Sequence, residues 1–364
     1  MAAAAPAIPA GFPPAAFAKD SPEIPQYHSV TRFKPVPAPF SRPGQVAALH
    51  AADCIDPASE RVNVPVMKEM MSAGMRSLTG DSDARDAWAR FLSPADVVGI
   101  KVNCSGAPGI MSTPEVVAEI VRNAMSVGVP PENITIYERF PDQMKTVHYE
   151  TYVPKGVHVD AVELQRRSII NYDPDTYVEV NFFGEEDTRS NMVRMVTERF
   201  TKIINVPNMK DHGAAGVTGC LKNMAYGNFS NVARSHYQAK TNTYSFIGTL
   251  AAMEPLRSRT VLHVMDGLRG VWQGGPFSTN RKFRFYPKKM MFGTDPVAMD
   301  RLLIDVIEAK RKSEGAISVW DRSLDNMKHA GDQFIREPGH IEYAGSLGLG
   351  IYDIGKIVKK SIEL

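Results

Sequence analysis

Cysteine is scarce. Cys54, Cys104 and Cys220 are the three in 364 residues, and no C-x-x-C pair occurs. A disulfide framework, a cysteine-only zinc site and a self-bound iron–sulfur cluster are therefore not expected, while one disulfide stays open. No apolar run reaches the roughly 18 residues that a bilayer-crossing helix needs, so no membrane span is expected. Neither sign of charge is in excess. The 42 Lys and Arg against 40 Asp and Glu leave a formal charge of +2, which gives no electrostatic footprint for nucleic acid or an anionic membrane. What is present is the balance of a soluble globular protein, 43% apolar and 23% charged, long enough for one large domain or two ordinary ones.

Residues 1–45 are rich in Ala and Pro without periodicity, which predicts an extended or disordered leader that makes no packed element. The leader lacks a basic n-region and a long apolar core, so it is not a secretory signal as it stands. It suits what remains after such a signal is removed, which favours an exported or periplasmic location over a cytoplasmic one. Residues 46–364 read as a single α/β domain. A helix is predicted over 57–76, where Met67, Met70, Met71 and Met75 suggest core packing. DVVGIKVN (96–103) reads as a strand, CSGAPGI (104–110) as a Gly/Pro loop, and Ser112-Thr113-Pro114-Glu115 as a helix start with a hydroxyl cap. ENITIYER (132–139) supplies the next strand, completing a βαβ unit and hence a parallel sheet. Residues 140–200, with scattered strands and many charges, read as an insertion or one edge of the sheet. A helix over Tyr244–Met253, a strand at 260–267, a β segment at Phe283–Met291 and a helix opening at Asp295-Pro296 follow. Asp300 and Asp305 fall in the middle of that helix and read as solvated. The fold class is α/β: a largely parallel sheet with flanking helices and a small embellishment.

The chain is organised around IINVPNMKDHGAAGVTGCLKNMAYGN, residues 203–228. A β-branched run, Ile203 to Val206, ends at the turn residues Pro207 and Asn208; Lys210, Asp211 and His212 follow, then a glycine-spaced segment, Cys220, Lys222 and Asn223. In α/β proteins ligands bind at the carboxyl ends of strands. Lys101 with Asn103, Glu138 with Arg139, Lys210 to His212, and Asp266 with Arg269 all stand at such ends. If the strands are parallel, they gather on one rim.

His212 is the natural proton carrier or metal ligand. Lys101, Lys210 and Lys222 suit binding of a carboxylate or phosphate, and one of them suits the role of a lowered-pKa base or Schiff-base amine. Asn103, Asn223, Asp266 and Arg269 are the residues expected to orient substrate. A metal site drawing on His212, Cys104, Cys220 and His236 requires those four to converge. Each of these residues also has a plainer role: solvated lysines, amides satisfying loop backbone, and cysteines as small core residues.

Several of these segments resemble a known family. VVGIKVNCSGAPGIMSTPEVVAEIVRNAMSVGVPPENITIYE is similar to the opening of the domain-of-unknown-function family numbered 362, where a strand ending Ile-Lys-x-Asn precedes a helix beginning near Thr-x-Pro-Glu. INVPNMKDHGAAGVTGCLKNMAYGN resembles its second hallmark, Asn-x-Pro, Lys-x-His and T-G-x-x-K-N. DGLRGVWQGGP and GTDPVAMDRLL match its closing segments, so the resemblance runs from about residue 60 to 355. Relatives with appended ferredoxin-type Cys clusters are described as iron–sulfur proteins, and this chain lacks those clusters. Stand-alone relatives often carry a twin-arginine export signal. The family brings no activity with it.

The expected function is an enzyme, of oxidoreductase or isomerase/lyase type. It acts on a small anionic or carbonyl/hydroxy substrate at the rim of the sheet, by Lys/His acid–base or metal-assisted chemistry. The competing expectation is a non-catalytic protein that binds a metal ion, a tetrapyrrole-like cofactor or a redox partner. The expected partner is a small-molecule ligand, and a homo-oligomer is compatible with the sequence.

Overall fold

The computed structural model describes residues 23–163, 169–236, 242–277, 280–321 and 336–364. The first 22 residues of the leader lie outside this set. β1 (His28–Val30), β2 (Gln45–His50), α1 (Val64–Thr79) and α2 (Ala84–Ala89) come first. β3 (Val98–Lys101), α3 (Pro114–Ser126), β4 (Ile134–Glu138), α4 (Pro141–Val147) and β5 (His158–Ala161) follow. Next are β6 (Tyr172–Glu179), β7 (Arg189–Val193), β8 (Lys202–Asn205), β9 (Asn208–His212), β10 (Gly216–Val217) and α5 (Cys220–Tyr226). α6 (Thr243–Ala251), α7 (Leu256–Arg259), β11 (Thr260–Val271), β12 (Arg284–Phe285), β13 (Lys289–Gly293), α8 (Pro296–Ser313) and β14 (Val358–Glu363) continue the order.

The architecture is α/β. Among the described residues an eleven-stranded mixed sheet runs β14-β2-β13-β11-β8-β3-β4-β5, with β9, β10 and β12 off that path. β11, β8, β3, β4 and β5 are mutually parallel, and only β13 runs antiparallel to both neighbours, β2 and β11, on the main path. One helical layer, built from α1, α2 and α3, packs Met67, Met70, Met71 and Met75 with Val116, Val117, Ile120 and Val121 against one face. Each such aliphatic burial is worth about 1.5–3 kcal/mol. The other layer sets α5, α6 and α8 on the opposite face through Leu221, Phe246, Leu250, Leu303 and Ile307.

Three local expectations change. The first helix spans Val64–Thr79 rather than 57–76, because an antiparallel bridge of Ile55 to Val62 occupies the residues before Asn63, and Pro65 fits only the first turn. The leader packs from Tyr27 onward: its ring stacks on Phe246 at 6.2 Å, and β1 joins β6 and β7 in a separate three-stranded sheet. That small sheet is the embellishment expected within 140–200, whereas β5 from the same stretch extends the main sheet. The third change concerns Asn208, read as a turn residue, which instead opens strand β9 and carries Lys210 to His212 within it. β11 is twelve residues long and, past a register shift, pairs in parallel with β9. Gly267 and Gly270 permit that approach, since a Cβ would lie 2.3 Å from Met209 Sδ at the first and 2.5 Å from Met209 O at the second.

Candidate functional site

The carboxyl ends of β3, β4 and β9 meet the start of α5 around a cavity of about 400 Å³. Lys101, Asn103, Glu138, His212, Lys222, Asn223 and His236 line it, with Arg139, Gln143, Tyr226 and Phe277 among the walls. Six of the residues singled out from sequence are thereby brought together: Lys101, Asn103, His212, Lys222, Asn223 and His236.

Its floor is a polar network that closes on itself. Lys101 Nζ donates to Val102 O at 2.6 Å, to Glu138 Oε1 at 2.8 Å and to Asn223 Oδ1 at 3.5 Å, so all three N–H directions have protein acceptors. Beneath it three side-chain amides run in series. Lys210 Nζ donates to Asn103 Oδ1 at 2.6 Å, Asn103 Nδ2 to Asn223 Oδ1 at 3.1 Å, and Asn223 Nδ2 to Asn205 Oδ1 at 2.7 Å. Asn205 Nδ2 then donates to Cys220 O at 3.0 Å, which ties β8 to α5. A buried network satisfied at every member is rigid. Lys210 sits just behind the lining, fully buried, with Ser105 O as a second acceptor at 2.7 Å. Burial first, then the Lys101 charge, pulls its pKa down to about 7 against the opposing pull of Glu138.

His212 is fixed by its own loop. Its Nδ1 accepts the backbone N–H of Ala214 at 3.0 Å and of Ala215 at 3.2 Å. Burial, followed by Lys222, His236, Arg336 and His340, holds its pKa well below the usual value. The ring is therefore neutral, and with Nδ1 occupied as an acceptor the proton resides on Nε2, which makes His212 a hydrogen-bond donor rather than a base. The His236 ring lies 5.3 Å from it between centroids, with its pKa lowered to about 3, chiefly by burial. The preceding Asp211 anchors this strand end: Arg336 Nη1 is 3.1 Å from Oδ2, and Gly275 N donates to Oδ1 at 2.8 Å.

Lys222 is different in kind. Its ammonium lies 4.4 Å from the centre of the Tyr226 ring, one helical turn on, and donates a hydrogen bond to no described residue. It is partly exposed to the cavity. Desolvation first, then Lys210 and Arg139, lowers its pKa to about 7.

The remaining sequence candidates sit elsewhere. Asp266 is fully buried; Oδ2 accepts Thr113 N at 2.7 Å and Oδ1 accepts Leu268 N at 3.1 Å. It caps α3 in place of the hydroxyl expected there, since Thr113 makes no side-chain cap. Arg269 pairs with Glu60 at 3.4 Å, away from the cavity lining. Cys104 Sγ faces Tyr149 OH at 3.9 Å, and burial raises its thiol pKa. The Cys220 N–H binds Asp300, and its thiol pKa is likewise raised by burial. The proposed metal set of His212, Cys104, Cys220 and His236 thus does not assemble, and among the described residues no cluster of three or more His, Cys, Asp or Glu forms.

Glu138, named from sequence only as a strand end, anchors the floor. Arg139 bridges outward, its Nε donating to Glu163 Oε1 at 2.9 Å. Tyr226 was legible in principle, as the residue four after Lys222 on one helix face. Gln143 and Phe277 come from α4 and from the loop after β11, and spacing gives no signal for either.

Comparison with known proteins matches residues 98–305 to the model of a family described as Domain of unknown function (DUF362). No curated protein and no solved structure matches the chain.

Proposed function

The chain belongs to the DUF362 family, and from that premise, which carries no activity, we propose that it is an enzyme acting on a small anionic carbonyl or hydroxy compound in the cavity above Lys101. One observation supports this reading above the rest: Lys222 presents an amine without an acceptor among the described residues to a cavity in which Lys101 and Arg139 each have a carboxylate partner. An anion entering the cavity meets a net positive field, and its reacting carbon is placed near an amine poised to take or give a proton at neutral pH. Lys222 is the acid–base group in this reading. His212 donates a hydrogen bond from Nε2 to a substrate oxygen, and Lys101, Asn103 and Asn223 fix the floor. Positioned proton transfer of this kind is worth ~10²–10⁴-fold in rate.

Thermal shift and calorimetry with a panel of small 2-oxo and 2-hydroxy carboxylates test it. The native protein should bind at least one of them, whereas Lys222→Gln and His212→Ala, both with native circular dichroism, should lose that binding. Equal binding by all three proteins would remove the reading. The non-catalytic alternative is separated by elemental analysis and an absorption spectrum of the purified protein: a stoichiometric metal or a coloured cofactor would favour it.

A further inference from the structure

The lining cations differ in how they are held, and that difference carries a more specific assignment. Lys101 has three acceptors, and Lys210 has two oxygens within 2.7 Å. Arg139 has Glu163 on Nε and the Phe140 ring against its guanidinium, and it lines the cavity. Lys222 has an aromatic face and no acceptor among the described residues. A lysine kept to bind an anion permanently would gain from a fixed ammonium and from neighbours that hold the charge. Here Lys210 and Arg139 both disfavour its charge, and no carboxylate among the described residues binds the amine to offset them; the Tyr226 face supplies only a weaker attraction. Neutral amine is the form that attacks a carbonyl.

Building on the function proposed above, we propose that Lys222 Nζ forms an imine with the carbonyl carbon of a small oxo acid whose carboxylate rests on Arg139. The amine lone pair makes the N–C bond and the carbonyl π pair moves to oxygen. Both amine protons are then transferred to that oxygen, which leaves as water, so the step requires no oxidant or reductant. His212, with Nε2–H donating, holds the carbonyl oxygen as negative charge develops on it. Arg139 lines both this cavity and the adjoining one along Glu163, Tyr172 and Asn191, so it can receive a carboxylate at the mouth while the carbonyl points inward.

The test is reductive trapping of the full-length protein with pyruvate and sodium cyanoborohydride, read by intact mass and peptide mapping. A single reduced adduct on Lys222 is expected, forming faster as pH rises through about 7. Lys222→Arg, and separately Lys222→Gln, should abolish it, and Arg139→Gln should lower the pyruvate affinity of trapping by ~10-fold, the effect of losing one charge-assisted contact. Adducts scattered over surface lysines and unchanged in the variants would overturn the assignment. So would pyruvate binding in a thermal shift with no adduct, an outcome that leaves the acid–base function of the preceding subsection standing. Failure of pyruvate and every other carboxylate to bind would overturn both.

Discussion

Lys101 Nζ lies 2.8 Å from Glu138 Oε1 between two neighbouring parallel strands, and neither side chain is more than 7% exposed. The same carboxylate accepts the backbone N–H of Cys104 at 3.1 Å and of Arg139 at 2.6 Å, so one side chain holds the ends of β3 and β4 and the loop between site and core. Breaking a buried pair by removing one partner leaves the other charge without compensation. Glu138→Gln should therefore lose about 3–5 kcal/mol of unfolding free energy in urea. The double variant Lys101→Met, Glu138→Leu should recover part of that loss, since no lone charge remains. A loss below ~1 kcal/mol in the single variant would show that the pair is hydrated and does not organise the floor.

Asp300 gives a second test, because the sequence placed it on the solvated side of its helix and the structure buries it completely. Its carboxylate accepts Cys220 N at 2.5 Å and Leu221 N at 2.9 Å, joining α8 to the first turn of α5. Gly219 lets the two approach, for a Cβ there would lie 2.0 Å from Asp300 Oδ1. Burial raises the carboxyl pKa to about 7. The folded state then holds this proton more tightly than the unfolded one, whose carboxyl titrates near ~3.9. The stability it contributes is complete below the unfolded value and is lost as pH climbs from about 4 to about 7. Asp300→Asn should flatten that part of the stability–pH curve in denaturant melts at a series of pH values. A slope between those pH values equal to that of the native protein would show that Asp300 is not the group responsible.

How far the sequence reached depends on distance along the chain. The βαβ unit, the helix at Asp295-Pro296 and the meeting of Lys101, Asn103, Glu138, Arg139 and His212 were legible, because period, caps and strand-end polarity are local signals and a parallel sheet brings strand ends to one rim. Asp266 and Arg269, expected on that rim, do not line the cavity, and Lys222 and Asn223 reach it from α5. What failed was partner choice. Asp266 and Asp300 look like free carboxylates in sequence, yet each receives backbone N–H groups from an element far away in the chain, Thr113 and Cys220 respectively. His212 was legible as a site residue but not as a donor, since its tautomer is set by Ala214 and Ala215. Nothing in a linear pattern records which distant amide a buried carboxylate will satisfy.

Lys222 offers the sharpest separation of stability from function. With a pKa of about 7 in the fold and ~10.4 in the unfolded chain, its burial opposes folding whenever both states are protonated. Below about pH 7 the full penalty is present, it shrinks as pH rises through that value toward ~10.4, and above that the two states bind the same number of protons. Lys222→Met keeps the contact with Tyr226 and removes the charge. It should raise stability at pH 6 by about 1–3 kcal/mol, discounted from the full shift because the side chain is partly exposed to the cavity, and the gain should vanish by about pH 10. The same variant should bind no carboxylate ligand. A protein that gains stability as it loses binding is one in which the fold tolerates a strained group for its chemistry. If Lys222→Met instead lost stability at pH 6, the amine would have an unrecognised structural partner, and its place in the site would be that of a support.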